Sequence, residues 1–297
     1  MAGPWQHFLP AAYLAGFATV RAQPPRKALL WVARRGLRRV WQTKAERIGA
    51  ANGLYSLSAP MSDQFGPDFL DEFWTRFEPG LLRAMDVLLS DDTPRVEGID
   101  GETWVNALVP FAAQRFVRGV EYARIVQNRA ITTNRPPPNP TDIVHTRVKD
   151  YFWLAGAVAR AEWTILHVPK GKRIVVNDIG RVPLSDQGGS RANGWGIPLR
   201  HDAVLMLLAG GPNGAQLWVG SADSWIAGPI RHVQMDDAAV ASFNEASARF
   251  AHMEVYGAEE SEVRRLGGVM GAAAPPQGLL EPLWFASSPR ECWAMQQ

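Results

Sequence analysis

The stretch Ala159-Arg160-Ala161-Glu162-Trp163-Thr164-Ile165-Leu166-His167-Val168 decides the fold class. Up to Ala159 the apolar residues Val144, Val148, Phe152 and Ala155 recur with helical spacing. From Glu162 the pattern changes to short apolar runs separated by Gly and Pro turns. Runs at 162–168, 173–178, 195–199, 203–209 and 215–219 read as strands of an antiparallel sheet. Helical periodicity returns at 236–253, with Val240, Phe243, Ala246 and Phe250 on its apolar face, and again at 259–266.

Toward the N-terminus the helical reading extends over three segments. Phe69, Phe73, Phe77, Leu81, Met85 and Leu88 predict one helix over 67–90, with Asp68, Asp71 and Glu72 in its first turns. Val105, Leu108, Val109, Ala112, Phe116, Val120 and Ala123 predict a second over 102–130, kinked or begun at Pro110. Arg135-Pro136-Pro137-Pro138-Asn139-Pro140 breaks the pattern, and a third helix follows over 141–159 with Thr141 as N-cap. A short helix from Pro10 to about Thr19 and two strands at 28–34 and 38–48, turning at Arg35-Gly36, precede them. The order of strands, helices and strands predicts an α+β fold. The expectation is a single domain over 1–260, a helical core of several long helices packed on a small antiparallel sheet. Residues 261–297 would form a partly flexible C-terminal extension.

The chain has 297 residues, 46% hydrophobic and 20% charged, which excludes a disordered or fibrous protein. One cysteine, Cys292, excludes a disulfide framework and a cysteine zinc site. Twelve tryptophans either fill a core or line a site. No apolar run is long enough to span a membrane, and the apolar stretch 8–20 lacks the basic start of a signal peptide. A cytoplasmic protein is expected, without a membrane partner.

The net charge of +2 conceals two opposed segments. Residues 1–50 hold nine Lys/Arg against one acid, or +8, and residues 61–102 hold eleven acids against three bases, or −8. The two segments either pack together and neutralise, or the basic stretch 21–47 meets nucleic acid or another anionic ligand, with Trp31 and Trp41 available for stacking.

No Walker A loop, G-x-S-x-G elbow or H-E-x-x-H motif is present, and no two of the six histidines are spaced to share a helix face. The candidates are scattered polar residues, each with an ordinary alternative. His7, ahead of Pro10, suits a general acid or base, or simply bonds a carbonyl. Glu78 lies at the edge of a core stripe and needs a partner; it pairs with an arginine, or it serves as a metal ligand or a base. Gln114, Arg118 and Glu121 share one helix face, and Arg118 suits an anion as well as it suits a surface ion pair. Asp178 ends the apolar strand Ile174-Val175-Val176, where a loop exposes a catalytic carboxylate or a turn uses one. Asn244 is a weaker candidate for substrate binding.

The opening His7-Phe8-Leu9-Pro10-Ala11-Ala12-Tyr13-Leu14-Ala15-Gly16-Phe17 resembles the H-x-x-P-x-x-Y-L-x-x-F motif of the bacterial domain-of-unknown-function family 4238. Further features follow in similar order: Leu54-Tyr55, Glu78, Gln114 with Arg118, Asn177-Asp178 with Pro183 set further off, Ile197-Pro198-Leu199, and Asn244. The resemblance covers about residues 5–255. It implies one α+β domain with these polar residues at its site, and no assigned activity.

Together these residues predict a hydrolase acting on a phosphodiester or other anionic substrate, nuclease-like, in bacterial defence or toxin biology. His7, Glu78 and Asp178 would be catalytic, Glu78 and Asp178 would hold any divalent metal, and Gln114, Arg118 and Asn244 would bind substrate. The alternative is a non-enzymatic ligand- or protein-binding module in which the same polar residues form a structural network.

Overall fold

The computed structural model describes residues 5–20, 22–55, 57, 63–64, 66, 69–90, 104–185, 192–208 and 230–271. In chain order the elements are β1 (Trp5–His7), α1 (Ala11–Leu14), β2 (Leu29–Arg34), β3 (Val40–Lys44), β4 (Ala50–Asn52), α2 (Phe69–Thr75), α3 (Leu81–Leu88), α4 (Val109–Val117), α5 (Tyr122–Thr132) and α6 (Pro140–Arg160). Then come β5 (Glu162–His167), β6 (Val176–Asn177), β7 (Val182–Ser185), β8 (Ala192–Arg200), β9 (Ala203–Leu208), β10 (Arg231–Gln234), α7 (Asp237–Phe250), β11 (Glu254–Gly257) and α8 (Glu260–Gly267). The switch from α6 to β5 falls where the quoted stretch places it. The fold is α+β in a single domain.

Among the described residues the strands form three sheets rather than one small antiparallel sheet. The larger two have the orders β10-β5-β9-β8-β7 and β3-β2-β11-β6, and β1 pairs with β4. β10 pairs with β5 in parallel, so the first sheet is mixed. β11 lies between β2 and β6 with all four residues buried. Helical periodicity over 236–253 runs into this strand, but α7 ends at Phe250 and Asp236 caps its start by accepting from the Ala239 amide at 2.7 Å.

Each long helix breaks or starts at a residue that explains it. The helix expected over 67–90 is two helices. Pro79 cannot donate and disfavours helix at Glu78, so the chain tightens through bonds from Phe77 N–H to Trp74 O and from Glu78 N–H to Thr75 O. The second expected helix is a π turn over Trp104–Leu108, then α4, then α5. Between α4 and α5 the Glu121 carboxylate folds over Gly119, where a Cβ would meet it at 2.0 Å. The N-cap of α6 is Asn139, not Thr141: Asn139 and Asp142 form a reciprocal capping box, with Pro140 at the first helical position. The boundary expected at 260 falls inside α8, which packs on β2 and buries Val263 and Leu266. The strand expected at 215–219 lies outside the described residues.

α4 is buried along its whole length. All nine of its residues are buried, Gln114 and Arg115 included, and it lies along α6. Its last carbonyls therefore cannot reach water and must be satisfied from within. Arg181 Nη1 donates to Arg115 O, Arg147 Nη1 to Val117 O, and Tyr55 Oη to Arg118 O at 2.7 Å. Two guanidinium groups thus face the negative end of the helix dipole. Each also stacks on aromatic rings, Arg147 on Tyr55 and Tyr122, and Arg181 on Phe116 and Trp195. Trp74, Trp163 and Trp195 are core residues, and Trp31 and Trp41 are half-buried packing residues. Among the described residues no helix is long and apolar enough to cross a membrane.

Arg181 also pairs with Glu121 at 3.1 Å, both fully buried. Arg181→Met removes a cap and leaves that carboxylate alone, so we expect a loss of about 3–5 kcal/mol in urea unfolding. Adding Glu121→Gln to the same chain should recover part of it.

Candidate functional site

The site lies where β1, the α2–α3 break and the end of α4 meet. The break puts the Glu78 side chain opposite Arg118, the residue that follows α4. Arg118 Nη1 donates to Glu78 Oε1 at 2.8 Å and to Gln114 Oε1 at 3.1 Å, and its Nε donates to the His7 carbonyl at 2.9 Å. The Gln114–Arg118 spacing predicted from the sequence is thus one helical turn closed on itself and tied to β1. His7, Glu78, Gln114 and Arg118 are brought together.

His7 is placed by β1, where it pairs with Ala50 of β4. One ring nitrogen bonds the Glu46 backbone, and the other, Nε2, is buried without a partner among the described residues. Burial lowers the imidazole's pKa below its usual value. The Arg118 charge adds to this, while the Glu46 bond and the Glu78 and Asp71 carboxylates oppose it. The ring is therefore neutral at pH 7 and offers a lone pair rather than a proton.

Two further buried polar residues on the same elements were not singled out from the sequence, Gln6 of β1 and Arg115 of α4. Gln6 is 1% exposed; its Oε1 accepts from the Tyr55 amide at 2.7 Å and its Nε2 has no partner among the described residues. Gln114 Nε2 is likewise unpartnered. Arg115 is 1% exposed, and none of its three side-chain nitrogens has a hydrogen-bond partner among the described residues. Its guanidinium rests on Tyr13 at 5.5 Å and Phe111 at 5.0 Å. The backbone of Gly180, at φ +74°, closes over it: a Cβ there would lie 3.1 Å from Arg115 Cδ and 2.9 Å from Leu9 Cδ2. Burial, with the Arg118 charge behind it, pushes Arg115 down to about 10. It remains a cation at neutral pH, held in low dielectric with no ion pair among the described residues, while the Glu78 charge opposes the fall.

Asp178 and Asn244 serve other contacts. Asp178 is 2% exposed rather than presented by a loop. Its carboxylate accepts from the amides of His252 at 2.8 Å, Met253 at 2.7 Å and Glu254 at 3.1 Å, which closes the turn from α7 into β11. Asn244 accepts from the Val175 amide and donates to the Arg173 carbonyl and to Glu262, bracing α7 against the chain before β6. Glu78 and Asp178 bond different partners, and among the described residues no three His, Cys, Asp or Glu side chains gather as a metal centre. Neither the protein-family models nor the curated proteins nor the solved structures match this chain.

Burial pushes the Asp178 carboxyl up to about 7, against the backbone amides of Met253 and His252 and with help from the Glu121 and Glu254 charges. A carboxyl whose folded value is raised binds its proton more tightly in the folded state. Its contribution is complete below about pH 4 and is lost as pH rises toward 7. The stability difference between wild type and Asp178→Asn should therefore shift against the wild type by up to about 4 kcal/mol across that range in denaturant titrations.

Proposed function

We propose that this cluster binds the anionic group of a substrate and that the protein is a hydrolase of a phosphodiester or similar anionic ester. The observation that carries this is Arg115, a fully buried guanidinium with no acceptor among the described residues; Gln6 on β1 and Gln114 on α4 also carry buried amide nitrogens without partners there. Guanidinium and amide N–H groups in low dielectric stabilise phosphoryl or carboxylate oxygens far better than they would in water. A phosphate dianion would also compensate the buried charge.

His7 supplies the chemistry. Its ring is neutral, fixed from behind by the Glu46 backbone, with Nε2 unpartnered among the described residues and within reach of the Arg118 and Glu78 charges. In this role Nε2 takes a proton from water as the nucleophile attacks and returns it to the leaving oxygen. Arg118 is a positioning residue, because the His7 carbonyl, Glu78 and Gln114 already occupy it. That occupancy favours a second reading, a binding module that holds an anion without turning it over.

Hydrolysis of an activated phosphodiester and of a monoester separates the two. For the hydrolase, His7→Ala lowers kcat by about 10²–10⁴-fold while inorganic phosphate still raises Tm. Equal rates for His7→Ala and wild type contradict the role of His7. Phosphate stabilisation with no turnover by either protein selects the binding module.

A further inference from the structure

The basic segment does not neutralise the acidic one among the described residues. Its ion pairs there are Arg26 with Glu46 at 3.7 Å and Arg34 with Glu254. The described acids Glu78 and Asp86 pair instead with Arg118 and Arg200. Lys27, Arg35, Arg38, Arg39 and Arg47 are exposed, and none has an ion pair among the described residues. They lie on one supersecondary unit, the β2–β3 hairpin and its flanking turns.

Arg35, Arg38 and Arg39 sit at the tip beside Leu37, which is 46% exposed. β3 is the edge strand of its sheet and carries the chain from the tip to Lys44 and Arg47. Between those two residues stands Glu46, whose backbone holds the His7 ring. The basic row thus starts at the hairpin tip, where the Arg35 guanidinium lies against Gly271, and ends beside the candidate base. Trp41 lies under Arg34 at 5.7 Å, and Trp31 packs on the cluster around Val255 and Leu266. Both rings are committed to packing, so the hairpin offers cations and no stacking platform.

We propose that the β2–β3 hairpin is the docking surface for a phosphodiester chain, bound through its backbone without regard to base sequence. Its arginine tip favours phosphate, because a guanidinium takes two phosphate oxygens at once and is weakly hydrated. The proposal rests on the anion-site reading for what happens next: the chain lies along β3 and one of its phosphates enters beside His7. It commits the substrate to a nucleic-acid backbone rather than a free metabolite. Backbone recognition of this kind loses affinity steeply with salt, by about one unit of logarithmic slope for each cation engaged.

The test is fluorescence anisotropy of the full chain with a labelled single-stranded oligonucleotide of about 15 nucleotides, titrated over salt. We expect salt-dependent binding that the double variant Arg38→Glu, Arg39→Glu weakens by about ten-fold or more, with a slope lower by about two. Lys149→Glu with Lys170→Glu, an equal charge change at exposed positions outside the hairpin, should leave affinity within about two-fold. Binding absent at low salt, equal loss in both double variants, or equal affinity for poly-glutamate or anionic phospholipid vesicles overturns the proposal. The Tm rise with inorganic phosphate is measured on the same proteins. Its loss in Arg115→Met reports the anion site alone and is independent of Arg38 and Arg39.

Discussion

The C-terminal end of α4 is the constraint from which the rest of the arrangement follows. A helix buried on every side has no solvent for its final carbonyls, and leaving them bare costs about 1–3 kcal/mol each. The chain meets that cost with long side chains from distant segments: Arg181 from the turn before β7, Arg147 from α6, and Tyr55 from the loop after β4. These bonds draw the helical layer and the sheets onto one point. They also bring positive charge into the core, partly offset by Glu121 and by the helix dipole.

Of the four arginines buried among the described residues, three have structural work that the geometry accounts for. Arg147 and Arg181 cap α4, and Arg118 ties α4 to β1 and to the α2–α3 break. Arg115 has no such partner. It sits on two aromatic faces with its hydrogen-bonding edge unused by any described residue. A buried cation is tolerated when something compensates it, and Gln6, Gln114 and His7 also carry buried polar atoms without partners among the described residues. The division between capping and unpartnered arginines separates scaffold from candidate site.

The sequence carried much of the architecture through periodicity, including the helix-to-strand switch at 161–162 and the β2–β3 hairpin. It was least informative where a short element depends on remote contacts. β11 is a four-residue strand whose place between β2 and β6 has no local signal, and its predecessor helix masks its start. The break at Glu78 was legible in Pro79-Gly80, but the aromatic repeat across it outweighed that signal. Gln114 and Arg118 stood out because one helical turn separates them. Arg115, next to Gln114 in the chain, falls off that face, and a helix that faces the core all round makes the distinction meaningless. Asp178 reads as a strand-end carboxylate, yet its partners lie more than seventy residues away, in a turn that no local pattern links to it.

The central claim is that Arg115 is a buried cation that an anion compensates. Its most direct test is the unfolding free energy of wild type and Arg115→Met, in buffer free of polyvalent anions and again with phosphate. Replacing an uncompensated buried charge by an apolar side chain of similar length should leave stability unchanged or raise it without phosphate. Added phosphate should then stabilise the wild type and not the variant. A large loss of stability in Arg115→Met under both conditions, with no response of the wild type to phosphate, would show that Arg115 is a structural residue.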